Sequence, residues 1–286
     1  MRLFLLPIST RRTLLYCQKL QVLPPEKQPW IDKLTLRAAK LWAGWEQKES
    51  GWQKRVVQYG NGAFRRIPYE EWGLKSVPTL SARRKQEEIM GKEKHHLIFP
   101  QSVIPATRAP QILQTLATER EGLHRSRMLW CFVGMPITAP FALVPVIPNL
   151  PFFYLVFRAW SHYRALAGGK HLKWLSSNNF FSVRPSELLD TIYPRHLPYS
   201  NPPEQESQHS SPEPRHQSDN KPIAEERLLL TQDSGRRLAR ALEVPGLEVE
   251  LERAIWQVEN AIRKENKASE ESSPSSKSEK SKPENK

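Results

Sequence analysis

The sequence predicts a mainly α-helical, membrane-associated protein that contains a proline-bent apolar helical hairpin, amphipathic helices, short N-terminal strands, and a disordered linker and tail. The first supporting observation is a run without any charged residue at 128–157, because a membrane-crossing helix needs about 20 apolar residues. The second is that apolar residues recur at helical spacing before and after this run. The third is a pair of polar segments rich in proline and serine, whose composition does not supply a buried core.

Prolines divide the apolar run into two arms. Proline removes a backbone donor and disfavours helix at the preceding residue, and asparagine tolerates turn conformations. The predicted bend residues are Pro145, Pro148, Asn149 and Pro151. Because the run is too short for two full spans and a turn, a full hairpin over 128–160 and a shallow re-entrant hairpin both remain open. A proline-bent hairpin in the core of a soluble domain is the alternative interpretation.

Basic residues flank the apolar run at both ends, and no acidic residue lies between Glu121 and Glu187. The flanking arginines are Arg125, Arg127, Arg158 and Arg164. Segments rich in Lys and Arg stay on the side of the membrane where the chain is retained. A hairpin keeps both ends on one side, whereas a single span carries one basic end across. The flanks therefore favour a hairpin.

The formal net charge of +13 is concentrated in the first two thirds of the chain, since acidic residues outnumber basic ones after residue 196. A basic surface indicates an anionic partner, either nucleic acid or anionic lipid. The chain contains no zinc-finger spacing, RNA-binding aromatic motif or glycine-rich clamp, so no nucleic-acid motif is assigned. With nine tryptophans in the chain, anionic lipid is the predicted partner.

The first 25 residues contain no acidic residue and combine arginine and lysine with serine and threonine. This composition is typical of a mitochondrial targeting segment. The apolar stretch at 2–8 also fits a short strand followed by a turn that carries the arginines, and the two interpretations are compatible.

A basic amphipathic helix is predicted to begin near Pro29. The residues of its apolar face are Trp30, Leu34, Leu41 and Trp45. Tryptophan at both ends of a basic amphipathic helix is typical of an element that lies in the membrane interface. Packing of this face on a domain core is the alternative.

Composition divides the chain into four parts. Residues 1–195 form a domain that contains the predicted hairpin, and residues 196–222 form a disordered linker. Residues 223–264 form a pair of helices that either pack on each other or bind a protein partner. Residues 265–286 form a disordered, low-complexity tail.

Within the first part, shorter signals predict further detail. The segment 67–78 has prolines near both ends and reads as a connector or a single helical turn. Residues 95–99 read as a strand. The pair Gly168–Gly169 predicts a break between two helices.

No residue pattern indicates catalysis or a bound cofactor. Cys17 and Cys131 are too few and too far apart for a disulfide framework or a metal site. The adjacent His95 and His96 are predicted to lie on the surface, because neighbouring side chains rarely share a metal and no spaced third ligand follows. No nucleophile–base spacing or phosphate loop is present. The sequence therefore predicts a protein that is not an enzyme and has no catalytic, cofactor-binding or metal-ligating residues.

Several segments, in order, resemble the mitochondrial K⁺/H⁺ exchange-related family: "MRLFLLPISTRRTLLYC", "IPYEEWGLKSVP", "MPITAPFALVPVIPNLPFFYLVFRAWSHYRALAGGKHL" and "LERAIWQ". The resemblance covers residues 1–195 and resumes weakly at 223–262. It implies a protein of the mitochondrial inner membrane that is linked to potassium–proton exchange alongside LETM-type inner-membrane proteins. The family provides no established catalytic residues to carry over.

An exchanger that couples K⁺ to H⁺ needs a titratable group within the membrane, and residues 128–157 contain no Asp, Glu or His. Only His124 and His162, at the edges of the run, could carry a proton. The prediction is therefore an accessory or regulatory component that contributes to potassium/proton exchange and to ion or volume homeostasis. The alternative is an inner-membrane scaffold or assembly factor for mitochondrial gene expression or membrane-protein insertion.

Overall fold

The computed structural model describes residues 1–18, 30–91, 95–140, 149–193 and 226–272. Its helices are α1 (Trp30–Glu46), α2 (Trp52–Arg65), α3 (Tyr69–Ser76), α4 (Ala82–Ile89), α5 (Ala109–Thr118), α6 (Glu121–Thr138), α7 (Leu150–Ser177), α8 (Glu187–Ile192), α9 (Gln232–Ala241) and α10 (Pro245–Ser272). Its strands are β1 (Arg2–Pro7), β2 (Thr13–Gln18), β3 (His95–Phe99) and β4 (Phe181–Pro185). The described part is mostly helical, with one small mixed sheet.

The strands of this sheet are ordered β2-β1-β3-β4. β1 and β2 form an antiparallel hairpin, whereas β3 pairs in parallel with both β1 and β4. Successive residues of β1 point to opposite faces, so that Leu3 and Leu5 enter one core and Phe4 and Leu6 enter the other. A strand buried on both faces reads as a continuous apolar run. The prediction of short N-terminal strands is confirmed.

Helices cover both faces of the sheet. On one face, α9 and α10 contribute the buried residues Leu238, Leu247, Leu251, Ile255 and Val258. On the other face, α5 and α7 contribute Leu113, Ala117, Ala165, Leu172 and Leu175. The turn between β1 and β2 contacts the C-terminal part of the chain, which packs on the first of these faces. Arg12 in this turn forms ion pairs with Glu226 at 3.4 Å and Glu265 at 2.8 Å. The arginine-bearing turn near the N-terminus is therefore part of the folded structure.

The two C-terminal helices pack against each other and against the N-terminal hairpin. α9 begins with a capping box, in which Thr231 and Ser234 satisfy each other's backbone donors. α10 runs to Ser272, beyond the predicted boundary at residue 264. The predicted linker at 196–222 lies outside the described residues. The apolar stripe that could have bound a partner is buried in this protein's own core.

α6 and α7 form an antiparallel helical hairpin. At its closed end, the Asn149 side chain donates to the carbonyl oxygen of Thr138 at 2.7 Å and accepts from the backbone nitrogen of Phe152 at 3.1 Å. Asn149 thus caps α7 and ties it to the end of α6. Pro151 lies in the first turn of α7, a position where proline is favoured. Pro145 and Pro148 lie outside the described residues.

The prediction that this hairpin is embedded in a membrane is wrong. Among the described helices, none combines the length and the apolar composition that a membrane crossing needs. The apolar run is shared between the last part of α6, residues 128–138, and the first part of α7, residues 150–157, and each part falls short of the about 20 residues of a span. The rest of both helices includes charged side chains, and one of them, Arg158, is buried against protein.

α1 packs on α2. The ring of Trp45 contacts that of Trp52 with centroids 5.4 Å apart, and Trp42 contacts Phe64 at the same distance. Leu41 is 64% exposed. The side chains of Trp30 and Leu34 lie outside the described residues. Part of the predicted interfacial face is therefore used in a helix–helix contact.

The predicted break at Gly168–Gly169 is wrong, because α7 continues without interruption through both glycines to Ser177. A Cβ atom at Gly168 would lie 2.0 Å from the carbonyl oxygen of Leu74 in α3, and one at Gly169 would lie 2.7 Å from that of Ala117 in α5. The two glycines let α7 approach the backbones of both helices.

Candidate functional site

A buried polar cluster, formed by Glu71, His124, Arg158, Ser161 and His162, lies where α3 meets α6 and α7. Each of its members is at most 8% exposed. The three residues on α7 share one helix face because they are spaced three and four positions apart. We refer to this group as the buried cluster.

An ion pair anchors the buried cluster. The Arg158 guanidinium donates from Nη1 to Oε1 of Glu71 at 2.8 Å and from Nη2 to Oε2 at 3.1 Å. The hydroxyl of Ser161 also donates to Oε1. Burial opposes ionisation of Glu71, but the hydrogen bond from Ser161 and the charge of Arg158 hold its pKa below the ordinary value. Glu71 is therefore a carboxylate at neutral pH.

The hydrogen bonds also fix the tautomers of the two histidines. Nη2 of Arg158 lies 3.1 Å from Nε2 of His162, and because a guanidinium only donates, Nε2 must accept. Neutral His162 therefore carries its proton on Nδ1, which lies 3.0 Å from Nδ1 of His124. His124 accepts this proton at Nδ1 and carries its own on Nε2. That nitrogen is buried and has no hydrogen-bond partner within the described residues.

Both histidines are held neutral. Burial lowers the pKa of His162 to about 4 and also lowers the pKa of His124, and the positive charge of Arg158 adds to both effects while Glu71 opposes them. A further proton on either imidazole needs a nitrogen that now accepts a hydrogen bond. Protonation must therefore break either the contact between His124 and His162 or the contact between His162 and Arg158. The first contact joins α6 to α7, so the packing of these helices is coupled to proton binding.

Lys75 extends the charged region one turn further along α3. Its Nζ atom lies 3.4 Å from the centroid of the Trp72 ring and has no hydrogen-bond partner among the described residues. Burial lowers the pKa of Lys75 to about 8, although Glu71 opposes this shift. A cation over an aromatic face is stabilised by the ring quadrupole.

Glu71, His124 and His162 also have the residue types of a metal site, and their candidate ligand atoms lie within 4.8 Å of one another. Two contacts argue against this use. A metal-bound histidine normally donates its second N–H to an acceptor, whereas Nε2 of His162 faces the donor of Arg158. Both carboxylate oxygens of Glu71 already accept hydrogen bonds from Arg158. The hydrogen bonding favours a proton site over a metal site.

A second buried acid–base pair lies elsewhere in the core. Nδ1 of His171 lies 2.8 Å from the carbonyl oxygen of Pro78 and therefore donates, while Nε2 lies 2.9 Å from Oε1 of Glu88. The second contact needs a proton shared by the imidazole and the carboxyl group. His95 lies beside this pair, with Nε2 3.6 Å from the same oxygen, and is 2% exposed. The prediction that His95 lies on the surface is wrong.

The basic flanks, the hairpin bend and the interfacial helix predicted from the sequence lie in different parts of the structure. Arg158 is in the buried cluster, whereas Arg125 and Arg127 are exposed on α6 and Arg164 is half-buried on α7. The predicted bend, represented by Asn149 and Pro151, lies at the opposite end of the helical hairpin. The predicted interfacial helix is α1, which packs on α2.

Sequence reasoning missed Glu71 as the partner of Arg158. Its signal is weak: the segment 67–78 is short, yet it places two acidic residues, Glu70 and Glu71, among apolar ones, and no acidic residue lies near the basic residues of α7 in the sequence. A buried arginine needs a counter-ion. Because no acidic residue lies near Arg158 in the sequence, its counter-ion has to come from a distant segment.

The buried cluster predicts a stability that depends on pH. In the unfolded chain His162 binds a proton near pH 6.5, whereas in the folded chain it does so only near pH 4. Between these values the unfolded state holds more protons, so stability falls as the pH is lowered through this window. We expect the free energy of unfolding to fall by about 2 kcal/mol from pH 7 to pH 5 because of this site, as measured by urea unfolding at each pH.

The matching test replaces both histidines, with His124→Gln and His162→Gln, and should make this pH dependence shallower. The dependence that remains should come from His95, whose pKa burial lowers to about 4. His96→Gln, on β3 and outside the buried cluster, is the control and should keep the full dependence. An equal pH dependence in the double variant and the native chain would show that the histidine pair is not the source.

The sequence resembles those of known proteins. The profile of a family described as mitochondrial K⁺–H⁺ exchange-related matches residues 2–176, a range that contains every residue of the buried cluster. An uncharacterized protein of Schizosaccharomyces pombe is 29% identical over 192 residues, which cover 66% of this chain and 81% of that protein. An uncharacterized protein of Saccharomyces cerevisiae is 25% identical over 293 residues, which cover 92% of this chain and 85% of that protein.

No solved structure matches the chain. The family match covers more than half of the sequence and includes the strands β1 to β3, the whole of α1 to α6, and α7 except for its last residue. The name of the family associates it with mitochondria and with potassium–proton exchange. The chain belongs to the mitochondrial K⁺–H⁺ exchange-related family.

Proposed function

We propose that this protein is an accessory or regulatory component of potassium/proton exchange at the mitochondrial inner membrane, and that it responds to pH through the buried cluster. One observation carries this proposal: a buried histidine pair that cannot take up a proton without breaking a hydrogen bond in the buried cluster. Such a pair couples proton uptake to helix packing, and acidification towards the lowered pKa of His162 drives the change. The family name supports the link to K⁺–H⁺ exchange.

The proposal assigns a regulatory role, because the buried cluster has imidazole nitrogens that can take up a proton but no carboxylate that is free to bind K⁺. Its carboxylate is held by Arg158 and Ser161, so it is not free to coordinate a passing cation. A non-enzymatic role is part of the proposal, since the histidines contact each other and an arginine rather than a nucleophile. An LETM-type inner-membrane protein is the partner that the family resemblance suggests.

An exposed apolar face supports the proposed location. It lies on α6 and α7, and its members that are at least 40% exposed include Leu129, Trp130, Phe132, Val133, Ile137, Phe153, Tyr154 and Val156. Exposed apolar residues gathered on two packed helices are typical of an interaction site. Arg125 and Arg127 are exposed at the start of the same face, so an anionic lipid surface complements it in charge as well as in polarity. The contact proposed is peripheral.

The test is potassium-driven swelling of mitochondria from cells that lack the protein. We expect slower swelling than in control mitochondria, restored by the native chain and not by the double variant His124→Gln and His162→Gln. His96→Gln should restore it fully. Tm measurements on the purified variants separate a loss of sensing from a loss of folding, because a folded double variant that fails to restore swelling identifies the histidine pair.

Mitochondrial translation, measured in parallel, distinguishes the exchange-related role from the alternative role as a scaffold or assembly factor. If translation fails first and swelling is unaffected, the protein acts as a scaffold or assembly factor and the exchange-related role is wrong.

Fractionation tests the location: the protein should sediment with inner-membrane vesicles. Recovery only in the matrix fraction would remove the proposed membrane contact.

A further inference from the structure

A cleft of about 700 Å³ lies between the loop before α4, α4 itself, α6 and α7. Its basic lining residues are Lys85, Arg125 and Lys170, and none of the lining residues that the structure describes is acidic. The apolar part of its lining includes Leu80, Met128, Leu129 and Leu166. This volume is in the range of small-molecule binding sites, about 300–1,000 Å³.

Two of the three cations in the cleft have no counter-ion among the described residues. Arg125 pairs with Glu121 along α6. The side chains of Lys85 and Lys170, which come from different helices and are exposed, form no ion pair or hydrogen bond with the part of the chain that the structure describes. Like charges that face one space repel each other, and a bound anion relieves this repulsion. The cleft is therefore suited to a negatively charged group.

The apolar side of the cleft continues onto the surface. Leu129 lines the cleft and is also 62% exposed. Val133 and Ile137 follow it at intervals of four residues, on the same helix face, and both are more than half exposed. An apolar track thus leads from the cations along α6. A ligand that satisfies both features has an anionic head and an apolar chain.

The geometry points to an anionic amphiphile as the ligand of this cleft: a phosphate group held by Lys85 and Lys170, with an apolar chain along Leu129 and the exposed face of α6. Membrane phospholipid and free phosphate share the head-group chemistry, and only the first has the chain. Phospholipid as the physiological source rests on the proposed inner-membrane location, whereas the binding chemistry of the cleft does not.

The test uses the purified full-length chain and isothermal titration calorimetry. The probe is dihexanoyl phosphatidylglycerol below its micelle concentration, compared with dihexanoyl phosphatidylcholine and with inorganic phosphate. We expect saturable binding of the anionic lipid at one site, and binding of the other two at least about tenfold weaker, since each lacks either the net charge or the chain. The double variant Lys85→Gln and Lys170→Gln should bind the anionic lipid at least about tenfold more weakly.

Further variants isolate the site. Lys173→Gln with Lys267→Gln removes two exposed lysines outside the cleft and should leave binding unchanged, while the conservative pair Lys85→Arg and Lys170→Arg should retain it. Ala167→Leu fills the cleft without changing its charge and should weaken binding with little change in Tm.

Three results would overturn the inference: no binding of the anionic lipid, an equal loss in the cleft and control lysine variants, or equal affinity for the zwitterionic lipid. If phosphate binds as tightly as the anionic lipid, the apolar chain does not contribute to binding and that part of the inference is wrong. The outcome is separate from that of the proposed function, because the swelling test depends on the histidine pair and not on the cleft lysines.

Discussion

Arg158→Met is expected to lower the free energy of unfolding by about 3–5 kcal/mol, because it leaves the Glu71 carboxylate buried without its counter-ion. Both side chains are almost fully buried: 9% of the side-chain surface of Arg158 and 1% of that of Glu71 is exposed. The same change removes the donor to Nε2 of His162. Urea unfolding monitored by tryptophan fluorescence at pH 7.5 provides the measurement.

A double-mutant cycle separates the ion pair from the packing of its two side chains. Glu71→Gln alone should also destabilise the protein strongly, and the double variant Glu71→Gln with Arg158→Met should be less unstable than the sum of the single losses. The control is Arg125→Met, which removes an exposed pair with Glu121 in which the arginine is 60% exposed. Such pairs contribute about 0.5 kcal/mol or less. If Arg158→Met costs no more than Arg125→Met, the buried cluster is open to water and the proposed proton coupling fails with it.

Local signals in the sequence predicted much of the fold. The apolar stretch at 2–8 indicated a short strand, and the Asn149 region indicated a bend between two helical arms, because proline disfavours helix at the preceding residue and asparagine tolerates turn conformations. The error was in the environment of the hairpin. A charge-free run of this length is compatible with lipid and with a protein core, and the choice depends on Glu71, Arg158 and their proximity in space, which a local pattern does not contain.

The buried cluster could be predicted only in part. His124 and His162 stood out as the nearest titratable groups to the apolar run, but their contact depends on the antiparallel pairing of α6 and α7. Glu71 comes from a segment that looked like a connector. For His95 the information was present: a strand alternates between two faces, so adjacent histidines on a strand cannot both lie on the same side.

Gly168 and Gly169 also show that a local pattern does not reveal contacts between distant segments. The second prediction of a large effect on stability concerns Gly168. Gly168→Ala is expected to lower the free energy of unfolding by at least about 2 kcal/mol. By helix propensity alone the change should stabilise α7, by about 1 kcal/mol. The structure predicts the opposite sign, because the new Cβ atom would lie 2.0 Å from the carbonyl oxygen of Leu74 and 3.3 Å from Cβ of Val77. A backbone carbonyl moves only if its helix moves, so α3 must shift away from α7.

Gly62→Ala is the matched control for this prediction, because Gly62 is also inside a helix but has open space within 4 Å of the point where a Cβ atom would lie. It should stabilise the protein by about 0.5–1 kcal/mol. The shift caused by Gly168→Ala also has a second readout, since α3 carries Glu71 and α7 carries Arg158. Moving these helices apart weakens the 2.8 Å ion pair and admits water, which should raise the pKa of His162 towards its ordinary value and flatten the pH dependence of stability. If Gly168→Ala matches Gly62→Ala in both unfolding and pH dependence, the close approach of α3 and α7 does not set the geometry of the buried cluster.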